Sequence, residues 1–292
     1  MGKLQLTFLD VQHGSACHIE TPAGMHFMFD LGTGDFDRSQ GGDVHSPLVY
    51  LKRTKGVERL DGVFVSHPHR DHIDDIFNFD LLNPRSFWRP QHLAEANIRA
   101  GNRPGDAPKI DKYLEISNRY NQSFAPGESP GEPSNNGCNL FEVFIVTTPP
   151  QSNLNNHSIA AVIEYAGTKV LVTGDTESAG WDELLSRTAF VNAAKGTHIL
   201  LAPHHGRESG FKEELFAAIG QPALTIISDT NAGETCVRQK YYNKSTGWGV
   251  SSRAAPSTSE TRYCLTTRDD GTIQVSCWID GSGKAWRSVT KK

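Results

Sequence analysis

Residues 67–72 read His-Pro-His-Arg-Asp-His and come directly after an apolar run at residues 63–65. Imidazole and carboxylate groups are the side chains that bind zinc and similar divalent ions in proteins. The apolar run predicts a buried strand that ends where the histidines begin. Together these features predict a metal site at the end of a strand. The alternative is a surface cluster of histidines that binds no metal.

The spacing of these residues predicts two groups of ligands. Pro68 excludes a helix from the first half of the segment and favours an extended conformation for His67. Since residues two apart share one face of an extended chain, His67 and His69 can face one ion. Asp71 and His72 follow one turn later and can face a second ion.

Three later strand ends also carry residues that can bind metal. They are His157 in an asparagine-rich loop, Asp175 after Gly174, and the adjacent pair His204 and His205. Neighbouring strands of one sheet bring their ends to a common edge, so we expect these residues to converge. Taken alone, His157 would more often be a surface histidine, and Asp175 would be an ordinary turn residue.

The predicted site holds two divalent ions, Zn2+ or Mn2+. The proposed ligands are His67, His69 and His157 for the first ion, Asp71, His72 and His205 for the second, and Asp175 between them. This set leaves open positions, which is typical of a catalytic site. Two ions roughly 3.5–4 Å apart can bind both oxygens in a phosphoester displacement. Of the adjacent pair, His205 is favoured as the ligand and His204 as an acid or phosphate contact.

The composition excludes several classes of protein. The 292 residues suit one large domain or two small ones, and a hydrophobic content of 37% allows a core. A formal charge of −4 argues against a generally basic nucleic-acid-binding protein but not against a local basic groove. Five scattered cysteines fit a reducing compartment. No signal peptide pattern and no apolar run near the roughly 20 residues of a membrane span occur, so a cytoplasmic protein without a membrane partner is expected.

A segment at about residues 83–150 is predicted as an insertion in a single domain of residues 1–292. It is rich in Pro, Gly, Asn and Ser, and between residues 85 and 119 Lys and Arg outnumber Asp and Glu. Its interleaved aromatic residues could line a groove for a nucleic-acid strand. The favoured alternative is a solvated insertion whose aromatic residues attach it to the protein body.

The elements that position the predicted site follow from apolar patterns and turns. Antiparallel strands are expected at 4–9, 16–20 and 25–29, and helices at 47–55, 73–82 and 111–120. A loop is expected at 229–259, followed by a closing hairpin of 263–267 and 272–279. Asp30 ends the third strand and has two equal interpretations, a residue that supports a metal-binding histidine or an ordinary turn residue.

An ordered series of motifs extends over nearly the whole chain. In chain order these are Phe8-Leu9-Asp10-Val11 with Gly14, Asp30-Leu31-Gly32, Ser66 to His72, Asn156 with Ser158, Leu171 to Asp175, Pro203 to Gly206, and Thr267 with Asp270 to Ile273. The series resembles the metallo-β-lactamase superfamily, and within it the hydrolase domain of the ComEC competence-protein type. The resemblance implies an α/β fold, a four-layer αββα sandwich, with the metal site at one edge between two sheets.

The chain departs from the family pattern at several positions. Members usually have Asp-Val-Gly-Gln-Gly-Asp where residues 10–15 read Asp-Val-Gln-His-Gly-Ser, which introduces His13 and removes an acid. Many members have no histidine at the place of His157, so occupancy by one ion or two stays open. Serine often follows the His-His-Gly motif, whereas here Arg207 follows it and Ser209 comes two residues later. Arg207 could bind a phosphate oxygen or cap a surface loop.

These features predict a metal-dependent phosphodiesterase that acts on DNA or RNA as a nuclease. A metal-activated hydroxide would attack phosphorus, and His204, Arg207 or Ser209 would stabilise the developing charge or protonate the leaving oxygen. The predicted catalytic residues are therefore Asp71, Asp175, His204, Arg207 and Ser209. One alternative is a hydrolase of a small ester, such as a phosphocholine ester, lactone or thioester. The other is a metal-stabilised module that binds a partner without catalysis.

Overall fold

The computed structural model describes residues 2–34, 45–229 and 236–292. Two β-sheets pack face to face, and helices cover the outer face of each sheet. The predicted αββα sandwich is therefore confirmed. Within the described ranges, no helix combines the length and apolar character needed to cross a membrane.

The first sheet contains strands from both ends of the chain. Its strands are β1 (Lys3–Phe8), β2 (Cys17–Glu20), β3 (His26–Phe29), β4 (Gly62–Phe64), β5 (Phe87–Trp88), β11 (Trp248–Ser252), β12 (Ala255–Arg262), β14 (Ile273–Ile279) and β15 (Ala285–Lys291). Across the sheet they follow the order β12-β11-β15-β14-β1-β2-β3-β4-β5. β1, β2 and β3 pair antiparallel as expected. β3, β4 and β5 run parallel, so residues 67–72 leave the sheet beside the end of β3.

The second sheet comes from the later part of the chain. Its strands are β6 (Leu140–Ile145), β7 (Ile159–Tyr165), β8 (Thr168–Thr173), β9 (Ile199–Leu201), β10 (Leu224–Ile227) and β13 (Cys264–Thr266). Across the sheet they follow the order β13-β10-β9-β8-β7-β6. Since β8, β9, β10 and β13 run parallel, their carboxyl ends meet at one edge.

The core lies between the two sheets and continues under the helices on both sides. β7 shows how alternation builds this arrangement. Ile159, Ala161 and Ile163 pack in the cluster between the sheets, whereas Ala160 and Val162 pack under the helices. Both faces of the strand are buried, which explains its almost continuous apolar sequence.

The helices form the outer layers. Those on the first sheet are α1 (Pro47–Arg53), α2 (Arg70–Ile73), α3 (Glu95–Ala100) and α4 (Ala107–Arg119), with a 3-10 helix at Ile76–Leu82. Those on the second are α6 (Ser178–Ser186), α7 (Thr188–Ala194), α8 (Glu213–Ile219) and α9 (Arg238–Lys244). The short helices α5 (Pro133–Asn136) and α10 (Thr267–Asp270) lie in connections. α1 begins at Pro47 because the Ser46 hydroxyl accepts a hydrogen bond from the Val49 amide at 3.0 Å.

Aromatic side chains join the segment at 83–150 to the rest of the protein. The Trp88 ring of β5 stacks on the Phe64 ring of β4, with the ring centroids 4.4 Å apart. The Tyr120 ring lies 5.7 Å from Phe79, at nearly a right angle. Edge-to-face contacts of this kind stabilise aromatic clusters. These side chains attach the segment to the protein body.

Two expectations about the later chain are wrong. Most of the expected loop at 229–259 is ordered as α9, β11 and the first part of β12, while residues 230–235 lie outside the described residues. β12 escaped detection because its side chains are mostly polar and almost all exposed, so no apolar alternation marks it. The expected closing hairpin is also absent from the described structure. β13 pairs with β10 in the second sheet, and β14 pairs with β1 in the first, because α10 carries the chain between the sheets.

The helix expected at 73–82 is also corrected. The chain forms α2 over Arg70–Ile73 and then a 3-10 helix over Ile76–Leu82. Asp75 lies between the two helical segments. Its side chain accepts hydrogen bonds from the Ser46 hydroxyl and the Leu48 amide, and these contacts interrupt the regular helix. The short α2 turns Asp71 and His72 back toward the sheet edge.

Candidate metal centre

The segment after β4 forms a sharp turn. His69 is extended, with φ −84° and ψ 152°, and α2 begins at the next residue. Backbone hydrogen bonds hold the turn beside the end of β3. The Asp30 amide donates to the Phe64 carbonyl at 2.7 Å, and the Leu31 amide donates to the His72 carbonyl at 2.9 Å.

Four side chains converge at the edge between the sheets: Asp71, His72, Asp175 and His205. One ligand atom from each lies within 4.8 Å of those from the other three. Nε2 of His72 is 3.3 Å from Oδ1 of Asp175, and Nε2 of His205 is 3.3 Å from Oδ2 of Asp71. The first two residues follow β4 of the first sheet, whereas Asp175 and His205 follow β8 and β9 of the second. Both sheets thus contribute, as the family resemblance implied, whereas strand ends considered alone predicted the edge of a single sheet.

The free nitrogens of the two histidines in this cluster face the carboxylates. Nε2 of His72 and Nε2 of His205 are buried and make no hydrogen bond within the described residues. Nδ1 of His205 donates to the Ser228 carbonyl oxygen at 2.8 Å, and Nδ1 of His72 donates to Oδ2 of Asp30 at 2.7 Å. An acceptor at Nδ1 leaves Nε2 available as a metal ligand. The donor set therefore fits a divalent cation.

Asp30 supports this segment from behind, as the first of its two interpretations expected of the contact with His72. Its side chain is fully buried. Besides His72, it accepts hydrogen bonds from the Ser66 amide at 2.7 Å and the Ser66 hydroxyl at 2.9 Å. The same hydroxyl lies 3.1 Å from Nδ1 of His67. One carboxylate thus orients His72 directly and His67 through Ser66.

The carboxylates make this cluster attract positive charge. Burial lowers the pKa of His205, but the Asp175 and Asp71 carboxylates outweigh it and raise the pKa to about 10. Burial also lowers the pKa of His72, and Asp175, Asp30 and Asp71 together raise it well above its usual value. Burial raises the pKa of Asp175, but the two histidines hold it well below its usual range. A divalent cation would replace these protons, because metal binding to histidine releases them.

His67 and His69 form a second group next to the cluster. Nε2 of His67 lies 2.8 Å from Nδ1 of His69 and 3.9 Å from Oδ2 of Asp175. Burial lowers the pKa of both histidines, that of His67 well below its usual value. Both rings are therefore neutral near pH 7, which is the form that binds metal.

His157 is not part of the four-residue cluster. Its Nδ1 lies 2.8 Å from Nε2 of His92 and 3.4 Å from the Val146 carbonyl oxygen. Its Nε2 is buried and makes no hydrogen bond within the described residues. The structure brings His157 to His92 rather than into the cluster, and ligation by His157 stays a prediction. His92 had no sequence signal, because the two residues are far apart in the chain and share no motif.

The predicted catalytic residues after β9 lie at the rim. Nδ1 of His204 is 2.8 Å from the Ser209 hydroxyl and 3.1 Å from Oε1 of Glu177. Its Nε2 is 3.2 Å from Nη1 of Arg207 and 3.7 Å from Oδ2 of Asp175. His204 thus sits outside the four-residue cluster and His205 inside it. Sequence reasoning missed Glu177, whose one signal was its position two residues after Asp175.

The turn that presents the two adjacent histidines has an unusual backbone. His204 and His205 have φ angles of 49° and 53°, and Gly206 follows with 71°. Residues with side chains rarely occupy this left-handed region, and those that do concentrate at functional sites. The His204 amide donates to the Gly174 carbonyl at 3.2 Å, which fixes the turn against the end of β8.

Comparison with known families gives one match that covers most of the chain. Residues 19–229 match the model described as the metallo-beta-lactamase superfamily. Over 181 residues, which are 62% of this chain, the sequence is 23% identical to ComE operon protein 3 of Bacillus subtilis (strain 168). That stretch is 21% of the relative, so the chain spans about a fifth of the length of the curated protein that it matches.

Two solved structures are similar at low identity. One is Igni18, described as a novel metallo hydrolase from the archaeon Ignicoccus hospitalis KIN4/I, with a TM-score of 0.43 and 16% identity over 82% of this chain and 90% of that one. The other is AbOPH, described as a hydrolase in the beta lactamase superfamily, with a TM-score of 0.32 and 18% identity over 55% of each chain.

Proposed function

The chain belongs to the metallo-β-lactamase superfamily, and from this premise we propose that it is a metal-dependent phosphodiesterase that cleaves nucleic acid. The observation that carries the proposal is the cluster of Asp71, His72, Asp175 and His205 beside the pair His67 and His69. Imidazole and carboxylate ligands from several strand ends suit a hydrolytic centre, because they leave positions open for water and substrate.

The chain offers ligands for two cations, Zn2+ or Mn2+, since both accept nitrogen and oxygen donors. The four-residue cluster would hold one, and His67 and His69 would hold the other next to Asp175, with His157 as the third predicted ligand. When bound, the cations supply Lewis acidity and make water acidic enough to attack near neutral pH.

Asp175 is the residue best placed to orient the attacking water. Its carboxylate lies between imidazoles from both sheets, 3.3 Å from His72, 3.5 Å from His205, 3.7 Å from His204 and 3.9 Å from His67. The backbone of Asp175 is fixed as well, because its amide donates to the Ser158 hydroxyl at 3.0 Å. This rigidity favours a positioning role, since catalytic groups act best when they need no reorganisation.

His204 and Arg207 would act on the phosphoryl group and the leaving oxygen. Glu177 holds Nδ1 of His204, which orients Nε2 toward Asp175 and Arg207. The Arg207 guanidinium can stabilise the negative charge that develops on the phosphoryl oxygens. Once Arg207 binds the phosphoryl oxygens and Nε2 of His204 carries a proton, His204 can donate that proton to the leaving oxygen, while Glu177 accepts from Nδ1. The Ser209 hydroxyl lies 2.8 Å from the same Nδ1.

Loss-of-function variants test these assignments. We expect His69→Ala and Asp175→Ala to abolish hydrolysis of a fluorescent oligonucleotide and of bis(4-nitrophenyl) phosphate, while circular dichroism shows a folded protein. Asp182→Ala serves as the control, because Asp182 is exposed and contacts Lys212 away from the centre. Turnover retained by either centre variant would refute the assigned roles. Tight metal binding without turnover on any ester would favour a non-catalytic binding module instead.

A small-ester hydrolase is the second candidate, and one observation favours it. The cleft beside His69 and Asp71 has a volume of about 420 Å³, which is in the range of small-molecule sites. A panel of single-stranded, double-stranded and cyclic nucleotides, phosphocholine esters, lactones and thioesters separates the two candidates. For nucleic acid, KM should rise steeply with salt concentration, because binding a polyanion releases counterions. For a neutral ester, KM should not depend on salt.

A further inference from the structure

The cleft beside the metal centre joins two parts of the protein. Its lining includes His69 and Asp71 from the predicted metal ligands, His13 at the rim, and Asn102 and Arg103 from the connection between α3 and α4. A substrate whose scissile bond lies at the ligands can therefore extend a neighbouring group toward Asn102 and Arg103.

The connection that carries Arg103 is fixed to the metal-binding turn. The Asn102 side-chain amide donates to the Pro68 carbonyl at 2.9 Å and to the Ile98 carbonyl at 2.9 Å. Pro68 lies between His67 and His69, so this hydrogen bond couples the connection directly to the predicted ligands. Lys109 of α4 forms an ion pair with Asp74, directly after α2. The backbone position of Arg103 relative to the centre is thus set by the fold.

Among the residues that the structure describes, the other charged side chains of the cleft are paired and Arg103 is not. Arg70 pairs with Asp74 at 3.2 Å and lies 3.8 Å from Asp106. Asp71 faces His205 in the metal centre. The exposed Arg103 side chain makes no hydrogen bond or ion pair with any residue in 2–34, 45–229 or 236–292. Within the described part of the chain, no carboxylate competes with a ligand for its guanidinium.

We propose that this cleft binds a second phosphate group of the substrate, next to the phosphoester that is cleaved, and that Arg103 binds that phosphate. The inference rests on the proposed phosphodiesterase function and narrows it to substrates with at least two phosphates. A guanidinium suits this role, because its planar donors bind two phosphate oxygens at once. Arg103 is a specificity residue here and not part of the reacting centre.

Three substrates distinguish the sources of that phosphate. Bis(4-nitrophenyl) phosphate has one phosphate, the trinucleotide TpTpT has two internucleotide phosphates, and 5′-phosphorylated pTpT has one internucleotide and one terminal phosphate. We expect Arg103→Gln to raise KM roughly tenfold for the two substrates with a second phosphate and to leave kcat within about twofold. Its KM for bis(4-nitrophenyl) phosphate should stay unchanged. Arg103→Lys should restore part of the lost affinity, because it keeps the charge but not the planar geometry.

Arg53→Gln is the matched control. Arg53 is exposed at the end of α1, lies outside the cleft, and makes no ion pair within the described residues. If Arg103→Gln behaves like this control on all three substrates, the proposal is overturned. It is equally overturned if Arg103→Gln loses affinity for bis(4-nitrophenyl) phosphate to the same degree, because Arg103 would then act on the scissile group. An effect on pTpT but not on TpTpT would mean that the cleft binds terminal phosphates. An effect on both would mean that it binds terminal and internucleotide phosphates alike.

A binding measurement separates this inference from the proposed function. Fluorescence anisotropy of labelled TpTpT and pTpT with the metal-loaded and metal-free protein requires no turnover. Roughly tenfold weaker binding by Arg103→Gln than by Arg53→Gln would support the phosphate site even if the wild-type protein hydrolysed no phosphoester. Equal affinities of the two variants would overturn it even if the wild-type protein were an active nuclease.

Discussion

Replacing Asp30 with asparagine should weaken metal binding while the protein stays folded. The Asp30 carboxylate accepts hydrogen bonds from Nδ1 of His72 at 2.7 Å and from the Ser66 amide and hydroxyl at 2.7 Å and 2.9 Å. Asparagine would keep one acceptor oxygen, but its amide hydrogens would face either His72 or Ser66, both of which already donate to this side chain. It would also remove the negative charge that holds the proton on Nδ1 of His72. The orientation of Nε2 toward the centre would then be less well fixed.

The expected size of the effect follows from the number of contacts. Loss of a partner that orients a metal-binding histidine typically costs 10- to 100-fold in metal affinity. This corresponds to about 1.4–2.7 kcal/mol of binding free energy. We expect the upper end of this range, because the same carboxylate also holds Ser66, whose hydroxyl lies 3.1 Å from Nδ1 of His67. A single substitution therefore disturbs both groups of predicted ligands.

Asp75→Asn is the matched control for this experiment. Asp75 is also buried and also accepts three hydrogen bonds, from Ser46 at 2.7 Å, from the Leu48 amide at 2.9 Å and from Asn78 at 2.7 Å. These partners are the residue that caps α1, a residue of α1 and a residue of the 3-10 helix after α2, and none is a predicted ligand. The control should lower the free energy of unfolding in urea and leave zinc affinity near that of the wild type.

The assay is competition for Zn2+ with a chromophoric chelator, carried out on wild type, Asp30→Asn and Asp75→Asn at the same pH. Urea denaturation with chelator present measures the cost to the fold independently of metal. If Asp30→Asn bound zinc as tightly as Asp75→Asn did, Asp30 would be a structural residue, and the argument that it orients His72 for metal would fail.

Two further predictions concern the adjacent histidines and the response to acid. His205→Ala should lower zinc affinity at least tenfold, whereas His204→Ala should retain zinc and lower kcat, because only His205 lies in the four-residue cluster. Metal analysis and kinetics on both variants check this prediction. Equal loss of zinc from the two variants would contradict it. Burial, with smaller contributions from His26 and Lys55, lowers the pKa of His18 to about 3. Since the unfolded chain protonates His18 near 6.5, its stabilising contribution is complete above that pH and is lost as pH falls toward 3. His18→Gln should therefore make the free energy of unfolding decrease less steeply between about pH 6.5 and 4. Urea denaturation at several pH values measures this slope, and equal slopes for wild type and variant would exclude His18 as the cause.

Local features of the centre were predictable because they depend on short stretches of chain. The proline at 68 and the apolar run before it determine a strand that ends in an extended turn, and the structure has both. Asp175 and His205 were also expected at strand ends, and both lie in the cluster. Each strand end needs only the residues on either side of it.

Features that depend on distant partners were not predictable in the same way. The two interpretations of Asp30 could not be separated, because its partner His72 lies 42 residues away in the chain. The strands β13 and β14 were recognised as strands but joined to each other, because apolar alternation reveals the period of a strand and not its neighbour. His92 and Arg103 received no role of their own from sequence, because the residues near them in space lie far away in the chain.

The candidate centre lies at the edge between the sheets, outside the three apolar cores that stabilise the fold. The core between the sheets and the two cores under the helices are built from apolar side chains, so the fold does not depend on a cation as a small zinc finger does. Asp71 and His72 come from the first sheet and Asp175 and His205 from the second, so a bound cation would join the two layers at one edge. Removal of metal should therefore loosen this edge and leave the three cores packed. For this reason the centre variants can be interpreted as losses of metal binding or catalysis, and not as losses of the fold.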